Sequence, residues 1–164
     1  MGKSLFLTVI YVVCSLCYMA AQGLVNVKHY SVKDGMSQNT VQGVLQDNEG
    51  YIWMATWNGL EKFDGYSFKN YKTYPTDKVK LQYNRLVNLQ LGGNQMLVCQ
   101  SYDRRVYLFD IRRECFEDVF AYHPEVKLCT AASKIITLPN GMVWIVGTNG
   151  DLWRIDCFRY KDKG

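Results

Sequence analysis

The 164 residues predict an all-β chain, a β-propeller fragment with two complete four-stranded blades plus most of a third. Three observations carry this. An apolar stretch ending in aspartate recurs every 46 residues, at 60–64, 106–110 and 152–156, so that Asp64, Asp110 and Asp156 are in step. A turn followed by a short apolar segment precedes each one, at 48–53, 92–97 and 139–144. The apolar stretches run to about five or six residues and are bounded by Gly, Asn or Asp, which is the punctuation of strands rather than helices. A repeat of roughly 40–50 residues holding four strands is the size of one propeller blade.

Each unit reads as strands A to D. The first has 41–46, 51–56, 59–64 and 66–71, with an A–B turn in which Asp47 can bond its own backbone and Gly50 can take positive φ. The second has 86–91, 96–101, 105–110 and 115–120. The third has 134–138, 142–147, 150–156 and a clipped D strand at 158–160. The blades thus span about 41–71, 85–120 and 132–160, and on this frame Trp53, Leu97 and Trp144 are equivalent. Continuous apolar B strands such as Met142-Val143-Trp144-Ile145-Val146 predict burial on both faces, as stacked blades require. A stack of this length is expected to leave a blade edge open on each side.

Residues 1–22 read as a secretory signal peptide. Lys3 opens it, an apolar run follows from Leu5 to Ala21, and Ala20-Ala21-Gln22 offers a cleavage point. An uncleaved anchor is the competing reading. The leader holds Cys14 and Cys17, so that apparent redox pair carries no meaning, and Cys99, Cys115, Cys129 and Cys157 remain in 23–164. An exported compartment permits disulfides, but four cysteines allow three pairings, and each lies in or beside an apolar run where a buried free thiol fits equally well. The formal charge of +4 is mild and spread out, which gives no reason to expect a nucleic-acid or membrane partner for this segment. Aromatic content of 14% suits pleated, half-buried surfaces.

The first unit, Val41-Gln42-Gly43-Val44-Leu45-Gln46-Asp47-Asn48-Glu49-Gly50-Tyr51-Ile52-Trp53-Met54-Ala55-Thr56-Trp57-Asn58-Gly59-Leu60 and on through Phe63-Asp64-Gly65, Phe68 and Tyr71, resembles the repeat of two-component regulator propellers. These are the periplasmic sensor domains of hybrid two-component histidine kinases. The preceding 30–39 stretch is similar to the start of the first blade in that family. The third unit keeps the frame in Gly141, Trp144, Gly147-Thr148-Asn149-Gly150 and Asp156. The second departs from it, with Leu97 for Trp, Gln100-Ser101 for the Gly-Thr pair and Arg104-Arg105 in the turn. The resemblance covers about 28–160 and implies a periplasmic, ligand-sensing module with a glycan or oligosaccharide ligand. It also implies a longer parent protein with further blades, a membrane anchor, homodimerisation and kinase output, none of which is encoded in this segment.

Candidate chemistry is sparse. His29 and His123 lack neighbours at metal-ligand spacing, no nucleophile motif is present, and Gly92-Gly93-Asn94 fits a strand turn better than a phosphate loop, so no catalytic residue, metal or cofactor is assigned. Asp47 with Glu49 reads as a turn cap, and Trp53 and Trp144 read as blade core. Propellers bind ligands where loops ring the central channel, at the end holding the B–C and D–A connections. The B–C loops here offer Trp57, Asn58, Tyr102, Asp103, Arg104 and Asn149 as ligand-facing positions, aromatic rings for sugar faces and polar groups for hydroxyls or acids. A periplasmic propeller enzyme, quinoprotein or polysaccharide lyase in type, and a protein-binding scaffold are the alternative readings.

Overall fold

The computed structural model describes residues 2–19 (side chains to residue 12), 26–77, 81–93, 95–117 and 131–157. Helix α1 (Gly2–Met19) takes up most of the apolar run at the start of the chain; the expected cleavage point near Ala21 lies outside the described residues. Among the described residues no helix is long and apolar enough to cross a membrane.

Among the described residues, eleven strands form three antiparallel sheets, the blades of a propeller fragment. Blade 1 is β1 (Val41–Gln46), β2 (Ile52–Thr56), β3 (Gly59–Phe63) and β4 (Phe68–Tyr71), paired in chain order. Blade 2 is β5 (Leu86–Gly93), β6 (Met96–Ser101), β7 (Val106–Asp110) and β8 (Cys115–Glu117). Blade 3 is β9 (Ala132–Thr137), β10 (Met142–Gly147) and β11 (Leu152–Asp156). The expected D strand at 158–160, the 118–120 end of β8, His123 and Cys129 lie outside the described residues.

β9 starts two residues before the expected 134 and ends one before 138, and β5 runs two residues past the expected 91; at two other strand ends a turn residue sets the difference. β3 stops at Phe63 because the Asp64 carboxylate turns back to accept the Tyr66 and Ser67 N–H groups at 2.8 and 2.7 Å. β11 starts two residues late because Gly150, at φ +91°, is still turning. Gly59 tolerates no side chain: its φ is +105° and a Cβ would lie 2.3 Å from the Tyr71 carbonyl oxygen.

The register corrects one equivalence. Trp53 pairs with Lys62 and Trp144 with Arg154, and the residue of blade 2 in the same row is Val98, which pairs with Leu108. Leu97, opposite Phe109, is one row off. The A–B turn aligns Leu97 with Trp53, and in blade 2 that turn closes by Gly93 pairing with Met96; the B–C loops set the true spacings, 45 residues from Trp53 to Val98 and 46 from Val98 to Trp144. Thr56 pairs directly with Gly59 across a two-residue B–C loop, whereas Ser101 N–H reaches Arg105 O at 2.9 Å and Gly147 N–H reaches Asp151 O at 2.7 Å, each across three residues.

Two apolar layers glue the blades. Trp53, Ala55, Leu60 and Tyr71 of blade 1 meet Leu86, Leu89, Leu97, Cys99, Phe109 and Phe116 of blade 2. The Phe109 ring lies 5.5 Å from Trp53 and 5.0 Å from Tyr71, in tilted and edge-on geometries that aromatic quadrupoles favour. Met96, Val98, Val106 and Leu108, from the other face of blade 2, meet Ala132, Ile135, Val143, Ile145 and Cys157. Alternation along β6 supplies both layers. Gly92 makes room for this second contact, since a Cβ there would stand 3.3 Å from the Cys157 sulfur and 3.0 Å from Val98.

The far face of blade 1 is not open, contrary to expectation. Ser31 caps a short 3₁₀ turn at Val32–Asp34, and the segment then lies across the blade. Tyr30 packs edge-on against Phe63 at 4.9 Å, Met36 is buried, and Ser37 donates its N–H to the buried Glu61 carboxylate. Blade 3 has no such cover among the described residues, and Ile136, Leu138 and Leu152 stand exposed.

Candidate functional site

Asp47 proves to be a turn cap. It accepts Glu49 and Tyr51 N–H groups at 2.9 and 3.0 Å and the Trp53 indole N–H at 2.7 Å. Trp53 is fully buried blade core, while Trp144 is half-buried on the free side of blade 3. Cys99, Cys115 and Cys157 are free thiols. Burial pushes the Cys157 thiol up to about 12 and raises those of Cys99 and Cys115, so none is a ready nucleophile.

The B–C end is built by one recurring bond. The first residue of each B–C loop donates its N–H to the carbonyl of the residue just before strand A: Trp57 to Thr40 at 3.3 Å, Tyr102 to Arg85 at 2.9 Å, Thr148 to Ala131 at 2.9 Å. Trp57, Tyr102 and Thr148 are therefore equivalent positions, as are Thr40, Arg85 and Ala131. Adjacent blades are also tied here, because Ala132 N–H reaches Arg104 O at 2.8 Å and Gln100 Nε2 reaches Ala132 O at 2.8 Å.

This frame brings Trp57 and Tyr102 together across the boundary between blades 1 and 2. The Arg85 guanidinium carbon stands 4.2 Å from the Trp57 ring centre and 5.0 Å from that of Tyr102. Both rings keep much of their surface in solvent, Trp57 at 42% and Tyr102 at 62% exposure. Each cation–ring contact contributes about 0.5–1 kcal/mol at such exposure, which biases the three side chains toward one arrangement.

The other expected positions have local duties. Asp103 accepts the Ser101 hydroxyl and pairs with Arg105 at 3.4 Å. Arg104 is exposed and left-handed at φ +67°, at the corner of the longer loop. Asn58 receives the Asn70 amide on its carbonyl at 2.9 Å. Asn149 folds onto its own turn, bonding Asp151 through both ends of its amide at 3.2 and 2.6 Å. Arg85 is the residue that sequence reasoning did not name. Its signal was a lone arginine in the D–A connection, at the end already expected to face ligand.

No protein-family model matches the chain. Over 54 residues, little more than one repeat, it is 41% identical to histidine kinase P4 of Formosa agariphila, a stretch that is 33% of this chain and 4% of that protein. Among solved structures, the extracellular domain of BT3049 from B. thetaiotaomicron, assigned as a hybrid two-component system, superposes with a TM-score of 0.64 at 22% identity, covering 80% of this chain and 19% of that one. Two structures of the extracellular domain of BT4673 from the same organism, assigned as a one-component and as a hybrid two-component system, give a TM-score of 0.52 at 23% identity over 76% of this chain and 17% of theirs. The chain spans under a fifth of each of these domains. The chain is thus a β-propeller fragment with the fold found in the extracellular domains of hybrid two-component systems, and it is similar in sequence, over one repeat's length, to a histidine kinase.

Proposed function

We propose that this chain is the ligand-sensing part of an exported two-component sensor, receiving an oligosaccharide at the B–C end of its blades. The observation that carries the reading is the pair of half-exposed rings, Trp57 and Tyr102, bridged by the Arg85 guanidinium between them. Flat apolar faces stack on sugar rings, and a platform already ordered in the free protein loses little entropy on binding. In the longer parent protein, a ligand with different affinity for two arrangements of the propeller would shift the kinase between its off and on states. The leader helix fits export to the periplasm, and the parent is read as a membrane-anchored homodimer.

Calorimetric titration of the chain with a panel of neutral and acidic oligosaccharides tests this. Saturable binding to at least one member is expected, weakened about ten-fold or more by Trp57→Ala. A folded chain that binds nothing across the panel would remove the reading.

A further inference from the structure

Resting on that reading, we infer that the site selects anionic oligosaccharides, with Arg85 as the group that takes the carboxylate or sulfate. The rings of Trp57 and Tyr102 attract the guanidinium electrostatically, but they accept none of its N–H groups as a carbonyl or carboxylate would. Among the described residues, no hydrogen bond or ion pair engages the Arg85 side chain; its carbonyl alone is used, by Tyr102 N–H. A guanidinium has five donors in a planar fork. Ring contacts that restrain the fork leave its edge for an incoming pair of oxygens, the geometry in which Arg binds planar anions bidentately.

The surroundings point the same way. Asp103, the acid of the neighbouring loop, is already occupied by Ser101 and Arg105. Arg104 stands exposed at the corner of that loop, with no acid bonded to its side chain among the described residues. The next blade boundary offers a control built into the fold. There Ala131 holds the position of Arg85 and Thr148 that of Tyr102, while Tyr102 itself stands where Trp57 does, so the repeat does not require a cation between rings. The Trp57–Arg85–Tyr102 arrangement belongs to one boundary alone among the described residues. An uncharged hexose could stack on the rings, but it would give the guanidinium only hydroxyl partners. A uronate or a sulfated sugar supplies the missing acceptor and the ring face in one molecule.

The test compares three probes, oligogalacturonate, a sulfated galactan oligosaccharide and neutral cello-oligosaccharide, on the chain and on Arg85→Gln and Arg85→Lys. One or both acidic probes are expected to bind more tightly than the neutral one, with affinity falling as salt rises. Arg85→Gln should weaken acidic binding by about ten-fold to a hundred-fold. Arg85→Lys should recover only part of that loss, because an ammonium keeps the charge but not the fork. The two acidic arms distinguish carboxylate from sulfate as the preferred group. Equal binding of neutral and acidic probes, or acidic binding untouched by Arg85→Gln, would overturn the inference while leaving oligosaccharide sensing intact. Failure of all three probes, and of the wider panel, would remove both. Far-UV spectra and unfolding midpoints of each variant separate lost binding from lost fold. Should Arg85→Gln not fold, salt dependence and the acidic-to-neutral preference of the unaltered chain decide the matter.

Discussion

Strands β6 and β10 are the same element in two neighbouring blades, yet every residue of β6 is buried whereas β10 alternates between buried and half-buried. Their sequences do not differ in apolarity enough to explain this. Met96-Leu97-Val98-Cys99 is pressed from both sides, by blade 1 through Leu97 and Cys99 and by blade 3 through Met96 and Val98. Val143 and Ile145 face blade 2, while Trp144 looks to the side where the described structure has no further blade. Burial in a stacked fold is conferred by the neighbour, not by the strand itself.

The largest effect that would break or sharpen this contrast comes from Phe109, which touches Trp53, Tyr71 and Phe116 and is fully buried. Phe109→Ala is expected to cost about 3–5 kcal/mol in denaturant unfolding. A cost near that of a surface change would show that the blade 1–blade 2 layer does not govern stability. Next comes thiol labelling. Both Cys99 and Cys157 are buried with raised pKa values, so each reports opening rather than intrinsic reactivity. Cys157 sits at the edge of blade 3 and should label about ten-fold faster than Cys99, locked between two blades. Equal rates would mean the three blades open as one unit.

A smaller effect is expected from Glu114. Lys69 and Tyr71 of blade 1 both donate to its carboxylate, and these bonds hold its pKa below the ordinary 4.5. A depressed carboxylate contributes stability above its unfolded value that is lost as pH falls through the folded one. Stability should therefore drop below pH 4.5, by less in Glu114→Gln, which at neutral pH is itself weaker by about 0.5–1 kcal/mol. A Glu114→Gln protein with an unchanged acid profile would assign the acid sensitivity elsewhere. Smallest of all should be Trp144→Ala, under about 1 kcal/mol, because half the ring's burial is missing without a next blade. A loss as large as that of Phe109→Ala would mean this face is already packed.

Much of this was legible in the chain. The 46-residue recurrence gave the blades, and Asp47 and Gly50 gave the first A–B turn, since a short carboxylate capping its own backbone needs only local sequence. The equivalence of Trp53 with Val98 was missed because the A–B turn served as the landmark, and that turn differs in blade 2, where Gly93 pairs with Met96 beside a bulge at Leu91/Gly93; the period alone places Val98 46 residues before Trp144. Arg85 was hidden for a different reason. No motif surrounds it, and its partners lie 28 positions before and 17 after in the chain. The cover over blade 1 was equally unreadable, because Ser37 and Glu61 meet only when the segment folds back.

Sequence by itself determined the strands, their turns and the period, because alternation, capping aspartates and turn glycines are local physics. Tertiary structure alone decided which faces are dry, which tryptophan is core and which arginine lies between two rings. Those outcomes depend on what lies against each blade, and no residue carries that in its immediate neighbours.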